Sequence, residues 1–157
     1  MTGDFGGDPA CWAHLFEERH DLATRHDVEA LVVRFYRAAA MDDILGPVFS
    51  AAAVDWPGHI ATVTDFWMWQ LFGVRGYEGN PLRAHEPAHQ RTPFTQAHFH
   101  RWLALFTETV HEQFEGPTAD LAMARAAKMA NALQRLLAGT SAAGDVPIEV
   151  VRVRPST

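Results

Sequence analysis

His85 and His89, with Glu86 beside the first, make up the stretch HEPAH, which has the letter pattern of a zinc peptidase site. That chemistry needs two histidines one turn apart on a continuous helix, facing one metal ion, and a glutamate that polarises the metal-bound water. Pro87 stands between the two histidines. It has no amide proton, its ring crowds the carbonyl of Arg83, and it disfavours helical geometry at Glu86. The spacing therefore predicts a helix of little more than one turn over residues 82–85, with His85 at its end and His89 and Glu86 outside the chemistry.

The remaining histidines divide in the same way. His98 and His100 flank Phe99 and are two apart, so on a helix they point in different directions. His20, His26 and His111 lie among polar neighbours and read as solvated. His59 differs, because its segment is apolar over much of its circumference.

The elements that must carry these residues are helical. Val28, Leu31, Val32, Phe35, Tyr36 and Ala39 recur at helical spacing, with Thr24 or Asp27 as the cap. MDDILGPVF, at 41–49, breaks that pattern, since Gly46 and Pro47 end helices, and returns Val48 and Phe49 to the core. A second helix opens near Asp55 and Pro57 and runs to Gly73, with Trp56, Ile60, Val63, Trp67 and Leu71 on one stripe and His59, Val63 and Phe66 on an adjacent one. Asn80 and Pro81 start the short helix that bears His85. Thr95 caps a helix striped by Phe99, Trp102, Leu103, Phe106 and Val110, and an alanine-rich last helix ends at Gly139. No strand alternation appears before VPIEVVRVRPST, so the domain is expected to be all-α.

Tyr36 and Trp102 put an O–H and an N–H on apolar faces, and buried polar atoms of this kind need partners. Two arrangements satisfy them. In one, each finds a carbonyl in an ordinary helical core. In the other they line a cavity filled by a flat apolar cofactor, with one histidine on its metal.

The whole chain bounds the answer. Its 157 residues suit one domain, 48% are hydrophobic, and five Trp and ten Phe promise an aromatic core. A net charge of -6 without a basic run argues against nucleic-acid or anionic-membrane partners. Cys11 is the only cysteine, which fits a reducing cytoplasm. The longest apolar stretch, FWMWQLFGV, is too short to span a bilayer as a helix. Three parts are expected: an N-terminal extension over 1–23, a helical domain over 24–139 and a flexible tail over 140–157.

Five stretches in this order resemble a known family: FY at 35–36, DDILGPVF at 42–49, WPGHIATVTDFW at 56–67, GYEGNPLRAH at 76–85 and FHRWLALF at 99–106. The family is the truncated haemoglobins, specifically their third group, with a shortened two-over-two globin fold. The likeness covers about residues 27–138. It implies haem b as cofactor, His85 as the proximal ligand of its iron, Tyr36 and Trp102 as distal hydrogen-bond donors, and His59 as the residue that gates or contacts ligand. It further implies that Phe35, Phe49, Val63, Trp67, Leu82 and Phe106 pack on the haem.

The function implied is reversible binding of O2, NO or CO, with slow O2 release because two donors face the ligand in a water-poor pocket. The alternative is a redox enzyme at the same haem, an NO dioxygenase or a peroxidase-like catalyst. It would need a separate reductase, because the sequence has no flavin or nicotinamide motif.

Overall fold

The computed structural model describes residues 18–142, with side chains to Gly139. Most of the expected N-terminal extension, Cys11 and nearly all of the expected tail lie outside the described residues. Within them the chain is helical, and no strand occurs: α1 Arg25–Met41, α2 Gly46–Ala52, α3 Trp56–Phe72, α4 Pro81–Arg91, α5 Gln96–Gln113 and α6 Pro117–Ala142.

Each helix start has a local cause. The Thr24 hydroxyl accepts from the Asp27 amide while the Asp27 carboxylate accepts from the Thr24 amide, a capping box that opens α1. The stripe it launches, from Val28 to Ala39, is buried as its spacing requires. Asn80 accepts from the amides of Leu82 and Arg83 at the start of α4. α3 ends where Gly73 adopts a left-handed φ of 67°, and its amide bonds back into the last turn. α6 is capped from a distance, because the Asp21 carboxylate accepts from the amides of Thr118 and Ala119. Gly116 permits that approach, since a Cβ there would meet Asp21 Cγ at 2.5 Å.

Three expectations are corrected. Pro47 does not end structure but opens α2, where its fixed φ suits a first turn. The preceding reversal is held by the Asp42 carboxylate, which accepts from the amides of Ile44 and Leu45. α6 continues past Gly139 to Ala142, since one glycine costs a helix only about 1 kcal/mol against alanine.

The third correction bears on the site. α4 spans 11 residues with Pro87 inside it, so it does not stop after His85. Pro87 removes one hydrogen bond, to the Arg83 carbonyl, a loss that tertiary contacts can offset. The second half of α4 is anchored by His89, which is 7% exposed and whose Nδ1 accepts from the Phe94 amide at 3.0 Å. The Thr92 amide closes the helix on the Ala88 carbonyl.

The helices form two pairs, one laid over the other: α1 with α3, and α5 with α6, joined where α1 meets α5 and α3 meets α6. α4 packs on α6 and α2 and does not pack on α3. The core runs between the pairs, around Val28, Leu31, Val32, Phe35, Phe106 and Val110. Burying one such Phe contributes about 1.5–3 kcal/mol. Leu22, ahead of α1, is buried in the same cluster.

Candidate functional site

Tyr36 sits on the buried face of α1, late enough in the helix to meet the start of α3. Its ring contacts His59 edge-on at 4.7 Å, Phe49 of α2 at 5.8 Å and Trp56 at 5.9 Å. Trp56 and His59 are three apart in the first turn of α3 and so present rings to one side. Burial pushes the Tyr36 phenol above its usual range, so it is a neutral O–H donor. Burial, and after it the nearby His85, holds the His59 imidazole below its usual range, so it is neutral at pH 7. His59 Nε2 is buried and has no hydrogen-bond partner among the described residues. Such an atom costs about 1–3 kcal/mol unless a further group satisfies it.

Behind this cluster lies a stack. Trp102 is parallel to Phe106 at 5.4 Å and Phe106 is parallel to Trp67 at 5.0 Å. Phe35 meets both Trp102 and Phe106 edge-on at 5.5 Å. Phe35, Trp67 and Phe106 are almost wholly covered, whereas Trp102, Phe49, Val63 and Leu82 are half-buried.

The histidines of α4 and of the first turn of α5 are told apart by their hydrogen bonds. His85 Nδ1 lies 2.5 Å from the Pro81 carbonyl, which can only accept, so Nδ1 carries the proton and Nε2 keeps its lone pair. His89 Nδ1 accepts from the Phe94 amide, so in the neutral ring its proton is on Nε2. His98 Nδ1 accepts from the Thr95 amide and has the same tautomer as His89. Of these three, only His85 has a ring lone pair that is not taken up by a backbone amide. His85 is exposed, with its ring 6.4 Å from Phe94.

The zinc reading of HEPAH therefore fails, but not because the helix breaks at Pro87. The His89 lone pair is taken up by the Phe94 amide, and among the described residues no three His, Cys, Asp or Glu could jointly hold a metal ion.

The structure brings Tyr36, Phe49 and His59 together and joins Trp102, Phe106, Trp67 and Phe35 behind them. His85 stands on a separate helix, near enough to affect the charge of His59. Sequence reasoning missed Trp56 as a member of the Tyr36 cluster, though its spacing from His59 was a usable signal. It also missed Arg101, whose Nε donates to Asp42 at 2.6 Å and links α5 to the turn before α2.

A family model described as bacterial-like globin matches residues 20–135. The chain is similar to the group 3 truncated hemoglobin of Campylobacter jejuni, at 28% identity over 123 residues, covering 76% of this chain and 94% of that one. The crystal structure of the group III truncated hemoglobin from Campylobacter jejuni superposes with a TM-score of 0.67 at 28% identity, over 76% of this chain and 95% of the other. The truncated globin architecture is thus matched in sequence and in space, and the chain belongs to the bacterial-like globin family.

Proposed function

We propose that the protein binds haem b between α3 and α4, with His85 as the residue that would hold its iron, and reversibly holds O2, NO or CO on the side of Tyr36, His59 and Trp102. The observation that carries this reading is the state of two histidines: His85 has an available Nε2 lone pair, and His59 has a buried Nε2 without a partner among the described residues. α3 and α4 bear them without packing on each other. The haem would supply an iron that can bind one diatomic ligand.

The chain's own residues do the rest. The Pro81 carbonyl fixes the tautomer and the orientation of the His85 ring. Tyr36 is held neutral and ringed by Phe49, Trp56 and His59, which suits its O–H to donate to a polar ligand. Trp102 is held by its stack with Phe106 and offers an indole N–H. Phe49, Val63 and Leu82 supply half-buried apolar surface for a macrocycle, while Phe35, Trp67 and Phe106 brace that wall from behind. Donors aimed at a partly anionic ligand in a water-poor site favour slow release.

The test is spectroscopic. The purified protein should show a Soret band with about one haem per chain, lost in His85→Ala and kept in His89→Gln. An apoprotein that takes up no haem, or a His85→Ala variant with an unaltered spectrum, overturns the reading.

A further inference from the structure

Trp102 and Trp67 begin a series of rings that does not stop at the core. Trp67 meets Phe66 edge-on at 5.4 Å, and Phe66 meets Tyr77 edge-on at 5.2 Å. Tyr77 stacks on Trp69 at 6.1 Å with a 22° tilt, and Trp69 is 45% exposed. With Trp102, Phe106 and Trp67 stacked at 5.4 and 5.0 Å, this is one unbroken line of aromatic contacts from the half-buried Trp102 to solvent. Indole and phenol rings can lose and regain one electron, whereas phenylalanine serves only as a bridge. Along this line no more than one phenylalanine separates an oxidisable ring from the next.

Core packing accounts for the inner half of the line and not for the outer half. Tyr77 leaves the α3–α4 connection and folds back over α3, contacting both Phe66 and Trp69. Gly79 makes that fold possible, since a Cβ there would lie 2.7 Å from the Tyr77 hydroxyl. The loop thus covers a surface tryptophan with a second oxidisable ring.

We propose that Trp102, Phe106, Trp67, Phe66, Tyr77 and Trp69 form an electron conduit between the pocket and the surface. Through it a donor too large to enter the pocket reduces a hydroperoxide bound inside. The proposal rests on the haem reading above. Hydrogen peroxide takes up two electrons and two protons, its O–O bond breaks, and two waters leave. The electrons come one at a time from a phenolic donor at Trp69. Each of two phenols gives one electron and one proton and departs as a phenoxyl radical, so electrons and protons balance. The rings in transit lose one electron and regain it.

The experiment treats the haem-loaded protein with hydrogen peroxide and a nitroso spin trap, then maps adducts by peptide mass spectrometry. Adducts should lie on Trp69 or Tyr77 in the loaded protein and be absent from the apoprotein under the same conditions. Trp67→Phe, which leaves three phenylalanines in a row between Trp102 and Tyr77, should abolish the Trp69 adduct while the Soret band remains. Trp69→Phe should slow peroxide consumption with a dextran-tethered phenol about tenfold, and leave consumption with free phenol unchanged.

Adducts confined to Tyr36 or Trp102, equal labelling of the apoprotein, a Trp69 adduct that survives Trp67→Phe, or an unchanged dextran-phenol rate each overturn the conduit. Any of these results in a protein whose Soret band depends on His85 leaves the haem reading intact. A protein that takes up no haem overturns both.

Discussion

The Tyr36 ring meets the His59 ring edge to face at 4.7 Å, which places a neutral phenol from α1 beside a neutral imidazole from α3. The contact couples the two helices through a buried phenol. His59 Nε2 has no hydrogen-bond partner among the described residues.

Tyr36→Phe removes one O–H donor and keeps the ring contacts to His59, Phe49 and Trp56. The O2 dissociation rate of the haem-loaded protein should rise about tenfold, as expected for one lost hydrogen bond of about 1–1.5 kcal/mol. Stopped-flow displacement of O2 by CO measures it, and a rate equal to wild type removes Tyr36 from the donor role.

His59→Leu replaces a buried, partnerless nitrogen with an apolar side chain of similar reach. The apoprotein should become more stable by about 1–2 kcal/mol, because an unsatisfied polar group is removed and not merely exchanged. Urea unfolding reads this directly, and a loss of stability would show that Nε2 makes a contact worth keeping.

Asp42 links the turn before α2 to Arg101 of α5, and its side chain is 9% exposed. Burial alone would raise its pKa, but the Arg101 hydrogen bond and the amides of Leu45 and Ile44 outweigh it and hold the carboxyl below 3.8. Its stabilising contribution is therefore complete above that value and fades as pH falls through the folded-state pKa. The urea midpoint should drop below about pH 4, and Asp42→Asn should flatten that drop while costing about 1.5–3 kcal/mol at neutral pH. An equally steep acid limb in the variant assigns the effect to other carboxylates.

Pro87 interrupts the hydrogen-bond ladder of α4 one turn after Arg83, two residues beyond the proposed ligand. Pro87→Ala restores the missing donor, so stability should rise by about 1–2 kcal/mol, less than the full helix penalty because alanine also frees the unfolded chain. Urea unfolding measures the gain, and amide exchange at position 87 should show a protected proton. No gain, or no protection, would mean the helix at Arg83 does not accept a continuing bond.

Much of the fold was legible because helix periodicity is local. The stripe from Val28 to Ala39, the caps at Thr24, Asn80 and Thr95, and the stop at Gly73 follow from residues within a turn or two of one another. The same periodicity put Tyr36 and Trp102 on buried faces, where their polar atoms raised the question of a ligand.

Tertiary structure decided what the local rules could not weigh. Pro87 breaks a helix considered alone, but α4 is held by α6, α2 and the His89 clasp on Phe94, and so it continues. Which histidine can bind a metal depends on where the Pro81 carbonyl and the Phe94 amide lie, and letters alone carry no tautomer. The cap of α6 by Asp21 and the pairing of Arg101 with Asp42 join residues far apart in the chain. Sequence determined which side chains turn inward, because that follows from 3.6 residues per turn. Only packing determined which of them meet, because that depends on how separate helices cross.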